Sequence, residues 1–369
     1  MTHPQKLFGR PIETAHIDLS NPQLLLQHIS CASFEKEIDM ETDVEYLSQF
    51  LKPITIKLQT SKIVSPHPTR NDQKLYYVGG GTPARGVSLR AIDPERYSII
   101  DESTGQIIEE IEQSKAFYEV YDGAVYLYNG KPYLCKKLDL TSRVAVVRLA
   151  SVKYYTQIRD YTDVHVVGGS QLAYDSPEQI DDESNGACVC NAKSTNAVVT
   201  TRWMGFHRIW HGTGQVFDTV DLFLPDMSFS TQAVFLRLHH SVRLKLEKSG
   251  LPFREGVHAA CHAILNVVPL FVMCNPEDLR TECDNPYDSR YRPERLLLFD
   301  AHPGGIGLSV RIRPHFFDIM AKALELIQSC DCKEDCGCPG CVQFTHCTEY
   351  NSVIHKNAGA EILKLALNG

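Results

Sequence analysis

Ser329 to Tyr350 reads SCDCKEDCGCPGCVQFTHCTEY, which places six of the chain's 13 cysteines between Cys330 and Cys347. Cys338-Pro339-Gly340-Cys341 has the Cys-x2-Cys spacing of a metal knuckle. Such a turn brings two thiolates to one ion while backbone amides donate to the sulfurs. Zinc requires four ligands of this kind in a tetrahedron, with zinc–sulfur distances of about 2.3 Å. The other two ligands come from Cys330 and Cys332, or from Cys332 and Cys347; Cys336 crowds the knuckle and ranks below them. Glycine and proline at the turn positions argue against loose surface thiols or a redox pair. Four cysteines close the coordination shell and leave no place for water, the pattern of a structural site. Zinc binding then folds the C-terminus and holds the preceding helix against one that starts near His355.

Outward from this cluster, the chain has 369 residues, 43% hydrophobic and 22% charged, an ordinary globular composition. That length suggests two or three domains. The net charge of −8 argues against a protein devoted to coating nucleic acid. It leaves room for local DNA contact, because patches matter more than totals. Arg290, Arg292 and Arg295, and Arg311 with Arg313, are the clearest basic groups; each taken alone reads as solvated surface charge. Met1 to Arg10 lacks the apolar core of a signal peptide, and no apolar run is long enough for a membrane span. The expectation is an intracellular protein whose thiols are reduced.

The fold class expected is α+β and multidomain. Residues 1–90 read as a winged-helix-like region. Asn21 caps a helix through Ser30, Val44 to Leu51 is a second helix, Ile54 to Val64 is a strand or a third helix, and Tyr76 to Val78 is a short strand before Gly79-Gly80-Gly81. Residues 91–170 read as a small antiparallel β domain. Tyr97–Asp101, Phe117–Tyr121, Ala124–Tyr128, Lys131–Leu138 and Ser142–Leu149 are strand-like, and Asn129-Gly130 is the sharpest hairpin signal in the chain. Residues 171–194 form an acidic linker or insertion, with Asp175 to Asn185 (DSPEQIDDESN) followed by Cys188 and Cys190, read as two ordinary thiols. Residues 195–369 form a mixed α/β zinc-binding domain. In it Gln232 to Lys248 and His258 to Val268 read as helices, Leu296 to Phe299 as a buried strand ending in Asp300, and Phe316 to Ser329 as a helix.

Weaker constellations surround the cysteines. His258 and His262 are four apart and share one face of a helix. Ala259 stands where the H-E-x-x-H motif carries its general base, so core histidines are the better reading. Asp300-Ala301-His302 leads into Gly304-Gly305-Ile306-Gly307, which lacks dinucleotide spacing and reads as a tight strand-to-helix connection. His239 and His240 receive no role. The sequence carries neither a G-x-x-x-x-G-K-[ST] phosphate loop nor a G-x-S-x-G elbow, so no ATP site and no catalytic residue is assigned.

The stretch from Glu255 to Leu367 resembles the zinc-binding C-terminal domain of mitomycin repair factor A and the Hrq-type, RecQ-four-like helicases. The residues that carry the resemblance are Gly256-Val257-His258-Ala259 with His262-Ala263, Phe299-Asp300 with Pro303 to Gly307, Cys330-Asp331-Cys332, Gly337-Cys338-Pro339-Gly340-Cys341, and Cys347, Asn351 and Lys356. Asn21 to Glu35, Gly86 to Arg90, Asp122 to Leu127 and Val152 to Thr156 resemble the segment between motor and zinc domain in that family. The resemblance implies an accessory region of a 3′–5′ ATP-dependent DNA helicase acting in crosslink repair, nuclear, with motor domains supplied in cis or trans. Single-stranded or forked DNA is the implied partner, and no membrane is involved. Lys333 to Gly337 separate the two halves of the cysteine motif more widely than is usual in the family. The favoured ligand set is Cys330, Cys332, Cys338 and Cys341, with Cys347 as the substitute and a structural zinc as the cofactor.

Tyr154, Tyr155, Trp203 and Trp210 are candidates to stack on bases, against core packing as the alternative for each. Two competing functions remain compatible with the sequence. One is a stand-alone zinc hydrolase using His258 and His262 with Asp300 or His302, which needs an open coordination position. The other is a protein-interaction module that binds no DNA.

Overall fold

The computed structural model describes residues 21–47, 50–66, 74–87, 95–167, 192–282 and 294–368. The acidic stretch Asp175 to Asn185, Cys188 and Cys190, Arg290 and Arg292, and Ser88 to Arg90 lie outside the described residues. The fold is α+β with several packed units, as the sequence suggests.

The N-terminal unit has the order helix, strand, helix, helix, strand, strand. It comprises α1 (Pro22–Glu35), β1 (Ile38–Asp39), α2 (Val44–Leu47), α3 (Leu51–Thr60), β2 (Val64–Pro66) and β3 (Lys74–Tyr77). β3 lies between β1 and β2, antiparallel to both. This is winged-helix topology. α1 starts where expected: Asn21 Oδ1 accepts from the amides of Gln23 (2.8 Å) and Leu24 (3.2 Å), and Pro22 occupies the first turn. Ile29, Ile38, Leu51, Ile54, Leu58, Val64 and Leu75 form the buried core of the unit.

The second unit is a five-stranded sheet of β4 (Arg96–Asp101), β5 (Ile107–Glu112), β6 (Val125–Tyr128), β7 (Lys131–Asp139) and β8 (Val144–Leu149), in the order β5-β4-β8-β7-β6. The hairpin at Asn129-Gly130 is present, with φ of 48° and 74° at its two turn residues. Two expectations are corrected. The sheet is not wholly antiparallel, because β4 runs parallel to β8. Phe117 to Tyr121 is not a strand: α4 (Gln113–Glu119) contains most of it. Ala116, Phe117, Val120 and Tyr121 are all buried, a helical spacing that sets one apolar face against the sheet. Aromatic β propensity yields to that burial.

The third unit is built on β9 (Tyr154–Val166), β10 (Lys193–Trp210), β11 (Val216–Asp221), β12 (Met227–Arg237), β13 (Leu279–Thr281) and β14 (Arg295–Asp300), all antiparallel. β9 follows one edge of β10 along most of its length; on the other edge β12 pairs the first half and β11 the second. The change of partner occurs at Gly205, where φ is 153° and a Cβ would lie 2.3 Å from the Val220 carbonyl oxygen. A residue with a side chain would block the approach of β11 there. The lower half of β9 and β10 also completes the core of the second unit, since Ile158, Trp203 and Phe206 pack with Phe117 and Tyr121.

Gln232 to Lys248 is the other corrected element. Residues through Arg237 belong to β12, and only α5 (His240–Lys248) is helical. Both faces of β12 and β14 are buried: Val234, Leu236, Leu296 and Leu298 face the helices, while Ala233, Phe235, Leu297 and Phe299 form a cluster on the opposite face. Such continuous apolar runs carry no readable period. The helical layer consists of α6 (Phe253–Val267), α7 (Leu308–Ile312), α8 (Phe316–Ser329) and α9 (Lys356–Leu367), and the cysteine segment lies between α8 and α9. No helix among the described residues is long and apolar enough to cross a membrane.

Candidate metal centre

α8 ends at Ser329, and Cys330 takes extended backbone angles that lead the chain out of the helix. The chain then turns twice. Cys341 N donates to the Cys338 carbonyl (3.0 Å), and Cys338 N donates to Cys341 Sγ (3.3 Å), the amide-to-sulfur bond expected of a knuckle. The sulfurs of Cys330, Cys332, Cys338 and Cys341 lie within 4.8 Å of one another. Cys330 to Cys338 is 3.5 Å, Cys332 to Cys341 is 3.7 Å and Cys338 to Cys341 is 3.8 Å. Sulfurs at the corners of a tetrahedron with zinc–sulfur bonds of about 2.3 Å stand about 3.8 Å apart. A disulfide would need about 2.05 Å. The spacing fits a tetrathiolate ion site.

The surroundings fit the charge of such a site. Four thiolates around a divalent ion leave a net charge of about −2. Lys356, at the start of α9 and 8% exposed, donates from Nζ to the carbonyls of Cys330 (2.7 Å) and Cys332 (2.9 Å) and to Cys332 Sγ (3.3 Å). Burial acts to lower the pKa of this ammonium, but the Cys332 sulfur, together with the Cys330 and Cys341 thiols, more than offsets it and holds the pKa above its ordinary value. Without metal, hydrogen bonds from the backbone and thiol of Cys332 and from the Cys338 thiol lower Cys330 to about 7. Burial pushes Cys341 up to about 12. Cys336 is exposed and lies outside the tetrad.

Cys347 does not join the tetrad. It is buried beside the two histidines of α6, its Sγ 3.6 Å from His258 Nε2. His258 and His262 meet edge-to-face, 4.2 Å between ring centroids. His258 Nδ1 lies 2.8 Å from the Val353 carbonyl, and His262 Nδ1 lies 3.0 Å from the Val342 carbonyl.

Asp300 performs a different task from the one a hydrolase needs. Its Oδ2 accepts from the amides of Ile306 (2.8 Å) and Leu308 (3.1 Å), and its Oδ1 from the amide of Ser309 (2.9 Å) and the Ser309 hydroxyl. Burial raises the pKa of the carboxyl, and these four donors act against that rise. The carboxylate therefore organises the glycine turn and the start of α7, as a tight strand-to-helix connection requires. His302 Nε2 sits 3.3 Å from Asp278 Oδ1. The turn also anchors the winged-helix unit. The Asn21 amide donates to the Gly305 carbonyl and to the Pro303 carbonyl (3.4 Å). A Cβ at Gly304 would lie 2.5 Å from Asn21 Oδ1, so only glycine permits that approach.

The aromatic candidates separate. Trp203 is buried in the core against Phe117 (5.0 Å) and is unavailable for stacking on a base. Trp210 and Tyr155 are 40% and 39% exposed. Trp210 stacks on Phe217 at 4.1 Å, Tyr154 meets Phe217 edge-on at 5.5 Å, and the Arg208 guanidinium lies 6.0 Å from the Tyr154 ring centre. Phe217, a residue the sequence reading did not single out, completes an exposed aromatic platform at the end of the β9–β10–β11 sheet. Phe217 reaches Trp210 across the β10–β11 hairpin, whereas Tyr154 and Tyr155 arrive through the long-range β9–β10 pairing, which leaves no local signal.

Two family models match the chain. The winged-helix domain of the ATP-dependent helicase HRQ1 matches residues 17–92, and the MrfA Zn-binding domain matches residues 260–342, which include the thiol tetrad. The chain thus carries a winged-helix domain similar to that of HRQ1 and a zinc-binding domain similar to that of MrfA. It is 27% identical to the ATP-dependent helicase HRQ1 of Saccharomyces cerevisiae over 98% of its length, and 26% identical to hrq1 of Schizosaccharomyces pombe over 93%. It is also 27% identical, over 92% of its length, to YprA, an uncharacterized ATP-dependent helicase of Bacillus subtilis. The chain spans 33%, 31% and 43% of these relatives. Among solved structures it is similar to the DUF1998 helicase MrfA. The TM-score is 0.53 at 22% identity for MrfA alone, over 95% of this chain and 46% of that one. For MrfA bound to DNA it is 0.50 at 24% identity, over 98% of this chain and 45% of that one. At these identities the structural likeness shows the fold alone.

Proposed function

We propose that this chain is the nucleic-acid-binding and zinc-binding region of a 3′–5′ ATP-dependent DNA helicase that acts in nuclear DNA crosslink repair. The observation that carries the reading is the occurrence of both family domains in one chain, in an alignment to HRQ1 that runs over 98% of its length. Cys330, Cys332, Cys338 and Cys341 are the zinc ligands, and the ion is structural: it closes the loop between α8 and α9 and takes no part in chemistry. No phosphate-loop motif is present in this sequence, so ATP hydrolysis belongs to motor domains in cis or in trans.

DNA leaving the motor passes the winged-helix unit and the aromatic platform. α3 presents exposed Lys52 and Lys57 to the phosphates, and Trp210, Phe217 and Tyr155 offer π-faces to unpaired bases. The solved MrfA–DNA complex supports this reading as a relative of the same fold.

The test is binding of a fluorescent forked DNA to the full zinc-loaded chain, followed by anisotropy as salt rises. The affinity is expected to fall linearly with salt on a log–log plot, through counterion release. Trp210→Ala is expected to weaken binding by about 1–3 kcal/mol. No binding at low salt, or binding indifferent to salt, would leave the chain as a protein-interaction module.

A further inference from the structure

The histidine pair of α6 and Cys347 have a second arrangement of donor atoms that the tetrad does not use. His258 Nε2, His262 and Cys347 Sγ offer ligand atoms within 4.8 Å of one another, and all three residues are buried. Both imidazoles place Nδ1 against a backbone carbonyl, at Val353 and at Val342. A carbonyl only accepts, so each Nδ1 carries the proton and each neutral ring turns a lone pair outward at Nε2. Histidines that bind metal are held in this way, by a carbonyl at the other ring nitrogen, which fixes tautomer and orientation together. The α6 spacing of four sets both rings on one helix face. The Asn351 amide donates to Cys347 Sγ at 3.4 Å, an amide-to-sulfur bond of the kind seen in the knuckle.

We propose that His258, His262 and Cys347 form a second metal site that binds zinc through two imidazole nitrogens and one thiolate. Nitrogen and sulfur donors select a borderline-soft ion of this kind and reject magnesium or calcium. Three protein ligands leave the fourth tetrahedral position open. His262 and Cys347 both line a cleft of about 1010 Å³, together with Glu277, Arg280 and His346, so the open position faces space that water or an oxygen ligand can enter. The matched zinc-binding region ends at residue 342, so Cys347 stands beyond it. The site is distinct from the tetrad, because no ligand is shared.

The test is zinc content and zinc X-ray absorption on the unmodified full chain saturated with zinc. The expected result is two zinc ions per chain and imidazole nitrogen in the averaged zinc shell. Cys347→Ser is expected to drop the count to one and remove the nitrogen signal. Cys338→Ser is expected to remove the other ion and enrich that signal. The unmodified chain decides even if a variant fails to fold. One zinc per chain with an all-sulfur shell overturns the proposal and leaves the tetrad intact. Two zincs with no nitrogen in the shell overturn it as well. Failure of the tetrad alone would read differently: one zinc in a mixed nitrogen and sulfur shell, which supports the second site.

Discussion

Single residues around the tetrad set its affinity and its pH dependence. Lys356 brings a positive charge to a thiolate cluster and hydrogen-bonds one of its sulfurs. Lys356→Met, which keeps the length and removes the charge, is expected to weaken zinc binding by about ten- to a hundredfold, measured by competition with a chromophoric chelator. The thiols give the pH dependence its sign. Cys341, pushed up to about 12, is protonated in the metal-free protein at neutral pH, whereas Cys330, lowered to about 7, is partly ionised. Zinc displaces each remaining proton, so affinity rises with pH, and the steepness reports how many thiols were protonated. The measurement is the apparent zinc affinity from about pH 6 to 8; a flat profile contradicts thiolate ligation. Much of this was legible in the sequence, because a Cys-x2-Cys knuckle is a local geometry. The role of Lys356 as a charge partner was not, since nothing local marks a lysine for burial. The placement of Cys347 was also hidden: it is close to the tetrad in sequence, but in the fold it meets a helix that begins almost a hundred residues earlier.

At the scale of elements, two residues, Asn21 and Gly205, fix how neighbouring elements meet. Asn21 caps α1 and donates to the glycine turn before α7. Asn21→Ala removes the cap and leaves buried carbonyls without their donor. The expected cost is about 1–3 kcal/mol, read from urea unfolding of the full chain. Gly205 lets β10 exchange β12 for β11. Gly205→Ala forces a side chain against the Val220 carbonyl and is expected to destabilise the chain by about 1–3 kcal/mol in a thermal melt. The cap at Asn21, the hairpin at Asn129-Gly130 and the helix α8 were readable because turn chemistry and amphipathic periodicity are local. α4 and β12 were misread for opposite reasons: aromatic residues on a helix resemble a strand, and a strand buried on both faces has no period of its own.

On the scale of the whole molecule, the zinc-binding segment is the connection between the last two helices of the layer over the sheet. Lys356 N donates to the Asp335 carbonyl, and its side chain grips Cys330 and Cys332, so α9 is tied directly to the tetrad. α9 in turn packs on α6, where a Cβ at Gly359 would lie 2.9 Å from Ala259 Cβ. Among the described residues the winged-helix unit shares no core residues with this layer, and Asn21 bonds it to the turn around Gly304. On the proposed structural role of the ion, loss of zinc is expected to act on the C-terminal helices and to leave the N-terminal core intact. Hydrogen exchange on the full chain, before and after zinc is removed by a chelator, tests this most directly. The account predicts lost protection from Cys330 through α9, with β3 and α1 of the winged-helix unit unchanged. Unchanged protection over residues 330–367 after complete removal of zinc would contradict a structural role for the ion.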